Sequence, residues 1–169
     1  IDIDGLETFV SGVASNEFIN LLSSRTGLEI SKDASGKLSY ATTALCFPSP
    51  FGDINIIVPK ITKQDGQYIS QTLMKETIYA INGIGSDGKK LKEVNVIAHT
   101  STSIQKEKGK DIVLFDAFGP KGKEEGTNNY VDVSDFDNVG ECPVLQAALL
   151  GHIIKERTLG SKNFAASHA

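Results

Sequence analysis

Cys142-Pro143-Val144-Leu145-Gln146-Ala147-Ala148-Leu149-Leu150-Gly151-His152-Ile153-Ile154-Lys155-Glu156-Arg157 is an apolar run that carries one imidazole and one carboxylate at i and i+4. Pro143 suits the first turn of a helix, where its missing N–H would have no partner. The spacing predicts a helix over 143–157 whose core side is Val144, Leu145, Ala148, Leu149 and Ile153. Residues at i and i+4 share one helical face. His152 and Glu156 therefore stack one turn apart, a common way to begin a divalent-metal site. Zinc takes nitrogen, sulfur and carboxylate ligands in tetrahedral geometry, and a catalytic zinc leaves one position to water. A second histidine, His168, lies beyond the turn expected at Gly160 and supplies a third ligand if the chain folds back. The competing reading is an ordinary helix end, with Lys155, Glu156 and Arg157 as its solvated last turn.

Upstream, Leu6, Phe9, Val10 and Val13 recur at helical spacing, so 1–24 reads as two helical pieces, the second capped by Ser15 and stopped by Gly27. Leu28-Glu29-Ile30, the turn residues Asp33-Ala34-Ser35-Gly36, and Leu38-Ser39-Tyr40 read as a hairpin. Ile54-Asn55-Ile56-Ile57-Val58 reads as a strand. Gln67 to Ile81 reads as a helix with Ile69, Leu73, Thr77, Ile78 and Ile81 on one stripe, ended by Gly83. Strands are expected at 93–98, 112–115 and 130–136, the last half-buried through alternation of Val131 and Val133 with Asp132 and Ser134. Lys106-Glu107-Lys108-Gly109-Lys110-Asp111 reads as a hairpin tip, and 121–126 as a solvated loop. Helices, strands, a helix, more strands and a last helix make an α+β order rather than alternating βαβ.

Of the chain's 169 residues, 40% are hydrophobic and 22% charged, which suits a single domain over 1–169 with a real core and argues against disorder. The net charge of −4 leaves no basic excess to neutralise a phosphate backbone, so nucleic-acid binding is disfavoured. There is no signal-peptide pattern and no apolar run of bilayer length. The chain begins at Ile1 rather than Met, as expected of a processed form or a domain of a larger protein. Cys46 and Cys142 lack CxxC spacing, which disfavours a thiolate zinc site, and whether they pair is open. A nucleophile elbow and a Walker A loop are both lacking. Gly83-Ile84-Gly85-Ser86-Asp87-Gly88 follows a helix rather than a strand and reads as a turn. Cys142 and His152 lie about 15 Å apart along one helix, which removes a thiol–imidazole pair. His99 reads as a hydrogen-bonded strand-end histidine or a spare ligand. Asp132, Asp135 and Asp137 read as a solvated face with a turn cap, since the glycine and terminal Glu of a calcium loop are missing.

Ala148-Leu149-Leu150-Gly151-His152, followed by Glu156-Arg157, resembles the active-site helix of zincin-type metallopeptidases. It is most similar to the metallopeptidase domains at the C-termini of bacterial secreted proteins and polymorphic toxins. There a helix–hairpin–helix–strand region precedes a Leu-Gly-His helix, and the tail Phe164-Ala165-Ala166-Ser167-His168 resembles the downstream histidine. The likeness is architectural over most of the chain and motif-level over the last helix and tail. It implies a zincin-like fold, in which a small mixed or antiparallel sheet packs with helices and the metal-site helix lies near the C-terminus. It also implies zinc held by His152, Glu156 and His168, a peptide or protein substrate or partner, and a secreted or cell-envelope effector or toxin. The chain departs from the His-Glu-x-x-His signature. Ile153 stands at the general-base position and Glu156 at the second histidine. Loss of a general base costs about 10²–10⁴-fold in rate. The alternatives are a catalytically inactive zincin-like binding or structural module, and a domain that acts through protein contacts without metal.

Overall fold

The computed structural model describes residues 7–108, 129–138 and 142–159. In chain order its elements are β1 (Thr8–Ser11), α1 (Ser15–Thr26), β2 (Ile30–Lys32), β3 (Leu38–Tyr40), β4 (Thr42–Phe47), β5 (Ile54–Pro59), α2 (Gln71–Asn82), β6 (Val94–His99), α3 (Ser101–Lys108), β7 (Tyr130–Asp132), α4 (Ser134–Asn138) and α5 (Pro143–Leu159). The fold is mixed, with five helices and small sheets among the described residues, compatible with the α+β class.

The central sheet has the order β1-β6-β7, and both of its pairings are parallel. The other two sheets are the antiparallel hairpins β2–β3 and β4–β5. Parallel strands need covering on both faces. Val10, Val94, Val96, Ala98 and Val131 are accordingly buried, in one cluster with Phe18 and Leu22 of α1, Leu73 and Ile81 of α2, Phe136 of α4, and Leu150 and Ile154 of α5.

Residues 8–11 form a strand, not the first helical piece expected from Phe9 and Val10. Four residues do not separate the two periodicities, and the partner strand β6 lies far along the chain. Gly12 makes the sharp exit from β1. Its φ is +98°, and an added Cβ would lie 2.2 Å from the Ala98 carbonyl oxygen. That oxygen accepts the Ala14 N–H at 3.0 Å, which seats the start of α1 on the end of β6. Helix α1 ends at Gly27 as expected, with φ +76° and its N–H donated to the Ser23 carbonyl at 2.8 Å. Its N-terminus differs: Ser15 lies inside the helix, and Ala14 occupies the cap position without a side-chain bond.

Helix α2 begins four residues later than expected. The Ser70 hydroxyl accepts the Leu73 N–H at 3.1 Å and fixes the start. Gly83 ends the helix in the left-handed conformation. The expected stripe is retained, with Leu73, Thr77 and Ile81 buried. The Gly83–Gly88 segment is a turn, closed by the Ile84↔Lys90 bridge and the Gly88 N–H to the Gly85 carbonyl at 3.0 Å.

Three further expectations change. Residues 130–136 are a three-residue strand followed by a short helix, and Tyr130, Val131 and Asp132 are all buried. Lys106, Glu107 and Lys108 belong to α3 rather than to a hairpin tip, and 109–111 lie outside the described residues. Helix α5 buries Ala147, Leu150, Ile153 and Ile154, while Val144 and Leu145 are exposed. The stripe set by i, i+3 and i+7 from Ala147 meets α2 and β6. Of the side read from the sequence, Ile153 is buried and Leu149 packs against the core, while Val144 and Ala148 lie at the edge of the α2 contact. The strand expected at 112–115, the loop at 121–126 and the turn at Gly160 lie outside the described residues. None of the described helices is long and apolar enough to cross a membrane.

Candidate functional site

Helices α2 and α5 pack side by side. Gly151 faces Leu73, whose Cδ1 would stand 3.8 Å from a Cβ built on the glycine. Beside this contact the helices diverge into an open groove of about 410 Å³. Tyr68, Leu73, Val144, Ala147 and Ala148 form its apolar wall, and Glu76, His152 and Lys155 bring charge and an imidazole to it. Glu76 and His152 are both half-buried. The groove therefore sets a carboxylate on one helix and an imidazole on the other against an apolar surface.

Of the residues expected to hold zinc, the structure places His152 in this groove. Glu156 lies on α5 as expected, one turn beyond His152, but its side chain is outside the described set, as is His168. Among the described residues, no three His, Cys, Asp or Glu side chains converge on one point in the manner of a metal site. Ile153, at the position of the usual general base, is 0% exposed and belongs to the core. Glu76 is the carboxylate that the sequence reading missed. Nothing in the chain order signals it, because it comes from α2 and shares a groove with His152 only once the helices pack. Cys46 and Cys142 are free and exposed.

A second polar cluster sits at the carboxyl ends of β6 and β7, where open parallel sheets commonly bind ligands. His99 is buried, stacks on Tyr130 at a centroid distance of 4.9 Å, and shares a hydrogen bond of 2.9 Å between Nδ1 and Ser103 Oγ. Thr100 and Ser103 exchange backbone-to-hydroxyl bonds of 2.9 and 3.1 Å, a reciprocal cap at the start of α3. Asp132 is fully buried. Its Oδ1 accepts the Ser134 N–H at 3.0 Å, and its Oδ2 accepts from the Ser101 hydroxyl. Ser134 Oγ in turn accepts the Ser101 N–H at 3.2 Å. These bonds cap α3 and α4 and tie the two helix starts together. The strand-end role expected for His99 is thus met. Asp132 is a turn cap as expected, but it is buried rather than on a solvated face. His99 is not among the residues that line the α2–α5 groove.

Compared with known proteins, the chain matches no family model, no curated protein and no solved structure.

Proposed function

We propose that this chain is a zinc-dependent, peptidase-like hydrolase domain of the secreted or cell-envelope effector or toxin kind, with its site in the groove between α2 and α5. The observation that supports it is the placement of His152 and Glu76 in one open groove with an apolar wall. In this reading His152, Glu156 and His168 hold the metal. Zinc, when bound, supplies Lewis acidity that makes water a competent nucleophile near neutral pH. Glu76 accepts a proton in the groove, the task for which Ile153 has no acceptor. Tyr68, Val144 and Ala148 exclude solvent and receive an apolar side chain of the peptide.

The test is metal content by mass spectrometry on untagged protein, beside the His152→Ala variant. Near-stoichiometric zinc that is lost in a folded His152→Ala variant is the expected result. Absence of zinc from the parent chain, with the variant folding normally, would reduce His152 to an ordinary helix residue and end the reading.

The complete burial of Ile153 favours a second reading, a zincin-like binding or structural module without hydrolysis. Peptide hydrolysis that falls at least about tenfold in Glu76→Gln supports the enzyme. Zinc that raises the unfolding temperature without any cleavage of a mixed peptide library supports the module.

A further inference from the structure

The hairpin β4–β5 has twelve strand residues, none of which is buried. Its register pairs Leu45 with Ile56 and Phe47 with Ile54, so these four side chains share one face. The opposite face carries Ala44 opposite Ile57 and Cys46 opposite Asn55. Leu45, Phe47, Ile54 and Ile56 are 44%, 47%, 52% and 46% exposed, and Phe51 at the tip is 99% exposed. The face leaves roughly 350 Å² of apolar surface open and Phe51 adds roughly 200 Å², at the upper end of what a monomer leaves uncovered. A two-stranded hairpin with no third strand and no covering layer is marginal in water. Among the described residues β4 and β5 pair only with each other, which leaves this face open to a partner.

We propose that the occupant is a second copy of this chain, the two hairpins packing face to face through Leu45, Phe47, Ile54 and Ile56. Two observations support it. Two such faces with their tips bring together roughly 1,000 Å², the lower bound of a specific interface and that of a weak dimer. From Thr42 to Pro59 the only charged residue is Asp53, so the net charge of −4 does not set the two faces against each other. A lipid surface is disfavoured on the same ground, because the hairpin offers no Lys or Arg to anionic headgroups. A two-fold axis makes the patch its own complement, each Leu45–Ile56 pair meeting the apolar face of the other hairpin. Two stacked ribbons about 10 Å apart then form a four-stranded sandwich that neither copy completes alone.

Sedimentation velocity on the full chain from about 1 to 300 µM covers the affinities that such an area supports. The expected result is a concentration-dependent rise toward twice the monomer mass. Leu45→Thr/Ile56→Thr keeps strand propensity and removes apolar surface, and association should weaken at least tenfold. Ile57→Thr, on the opposite face, should leave association unchanged. Cys46, also on that face, should react with maleimide equally fast at both ends of the concentration range. A chain that stays monomeric throughout overturns the proposal. So does a double variant that associates like the parent with an unchanged circular-dichroism spectrum, or an Ile57→Thr that weakens association as much. Monomeric protein that partitions onto phosphatidylcholine vesicles would assign the face to lipid instead.

Discussion

Strand β5 reads Ile54-Asn55-Ile56-Ile57-Val58-Pro59 and strand β6 reads Val94-Asn95-Val96-Ile97-Ala98-His99, nearly the same pattern of apolar residues around one asparagine. Their surroundings are opposite. In β6, Val94, Val96 and Ala98 are buried between two parallel neighbours and the helices that cover them. In β5, Ile54, Ile56 and Ile57 are exposed, and among the described residues the only strand partner is the adjacent β4. Residue pattern decides that a segment is extended. Which strand lies beside it, and what covers the pair, decides whether it becomes core. The same apolar side chains stabilise the fold in one place and present a surface in the other.

The seam between β1 and β6 is where that difference is most easily destroyed. Gly12→Ala puts a Cβ against the Ala98 carbonyl at a positive φ, and should cost roughly 3 kcal/mol or more in denaturant unfolding. A loss below about 1 kcal/mol would mean that the turn relaxes and that the seam does not depend on the glycine. Next comes the matched pair of strands. Val96→Thr buries a hydroxyl without a partner and should cost about 1–3 kcal/mol, whereas Ile56→Thr in dilute protein should stay within about 0.5 kcal/mol of the parent. Equal losses would show that the hairpin is as well covered as the sheet. A smaller effect of opposite sign is expected in the helix that roofs β6. Gly151 sits mid-helix with ordinary room toward Leu73, so Gly151→Ala should stabilise the fold by up to about 1 kcal/mol. Stabilisation together with loss of zinc would mark the glycine as kept for the groove rather than for packing.

The smallest effect belongs to the β2–β3 turn. Asp33 is held below the usual carboxylate range, first by the Ser35 hydroxyl; desolvation opposes this, and the backbone N–H groups of Lys37 and Ser35 and the Lys37 charge add to the lowering. A depressed pKa means that the turn is favoured while Asp33 is ionised. That preference is complete above the ordinary carboxylate pKa of about 4 and is lost as pH falls through the lower folded value. Amide shifts of Ser35 and Lys37 should titrate together below that range. Midpoints at the ordinary value would remove the cap.

Local chemistry made much of this chain legible. Gly27 and Gly83 stop helices because each accepts a left-handed φ, and Ser70 starts one by capping it. Asp33 to Gly36 set the first hairpin, and Pro143 opens α5 as read. The site was legible only in part. His152 could be picked out by type and spacing, but Glu76, which shares its groove, could not. The strand-end network around Asp132 and His99 was likewise visible only as separate polar residues.

The sequence by itself determined helices α1, α2 and α5, the β2–β3 hairpin, strands β5 and β6 and the stops at Gly27 and Gly83, because those choices depend on residues within a turn or two of one another. It did not determine that 8–11 is a strand, that β1, β6 and β7 run parallel, which side of α5 is buried, or that β5 lies open while β6 is core. Each of these depends on a partner distant in sequence, and an apolar side chain carries no record of which partner that will be. Only the tertiary structure brought Glu76 and His152 to one groove, because two packed helices decide which of their flanks face each other.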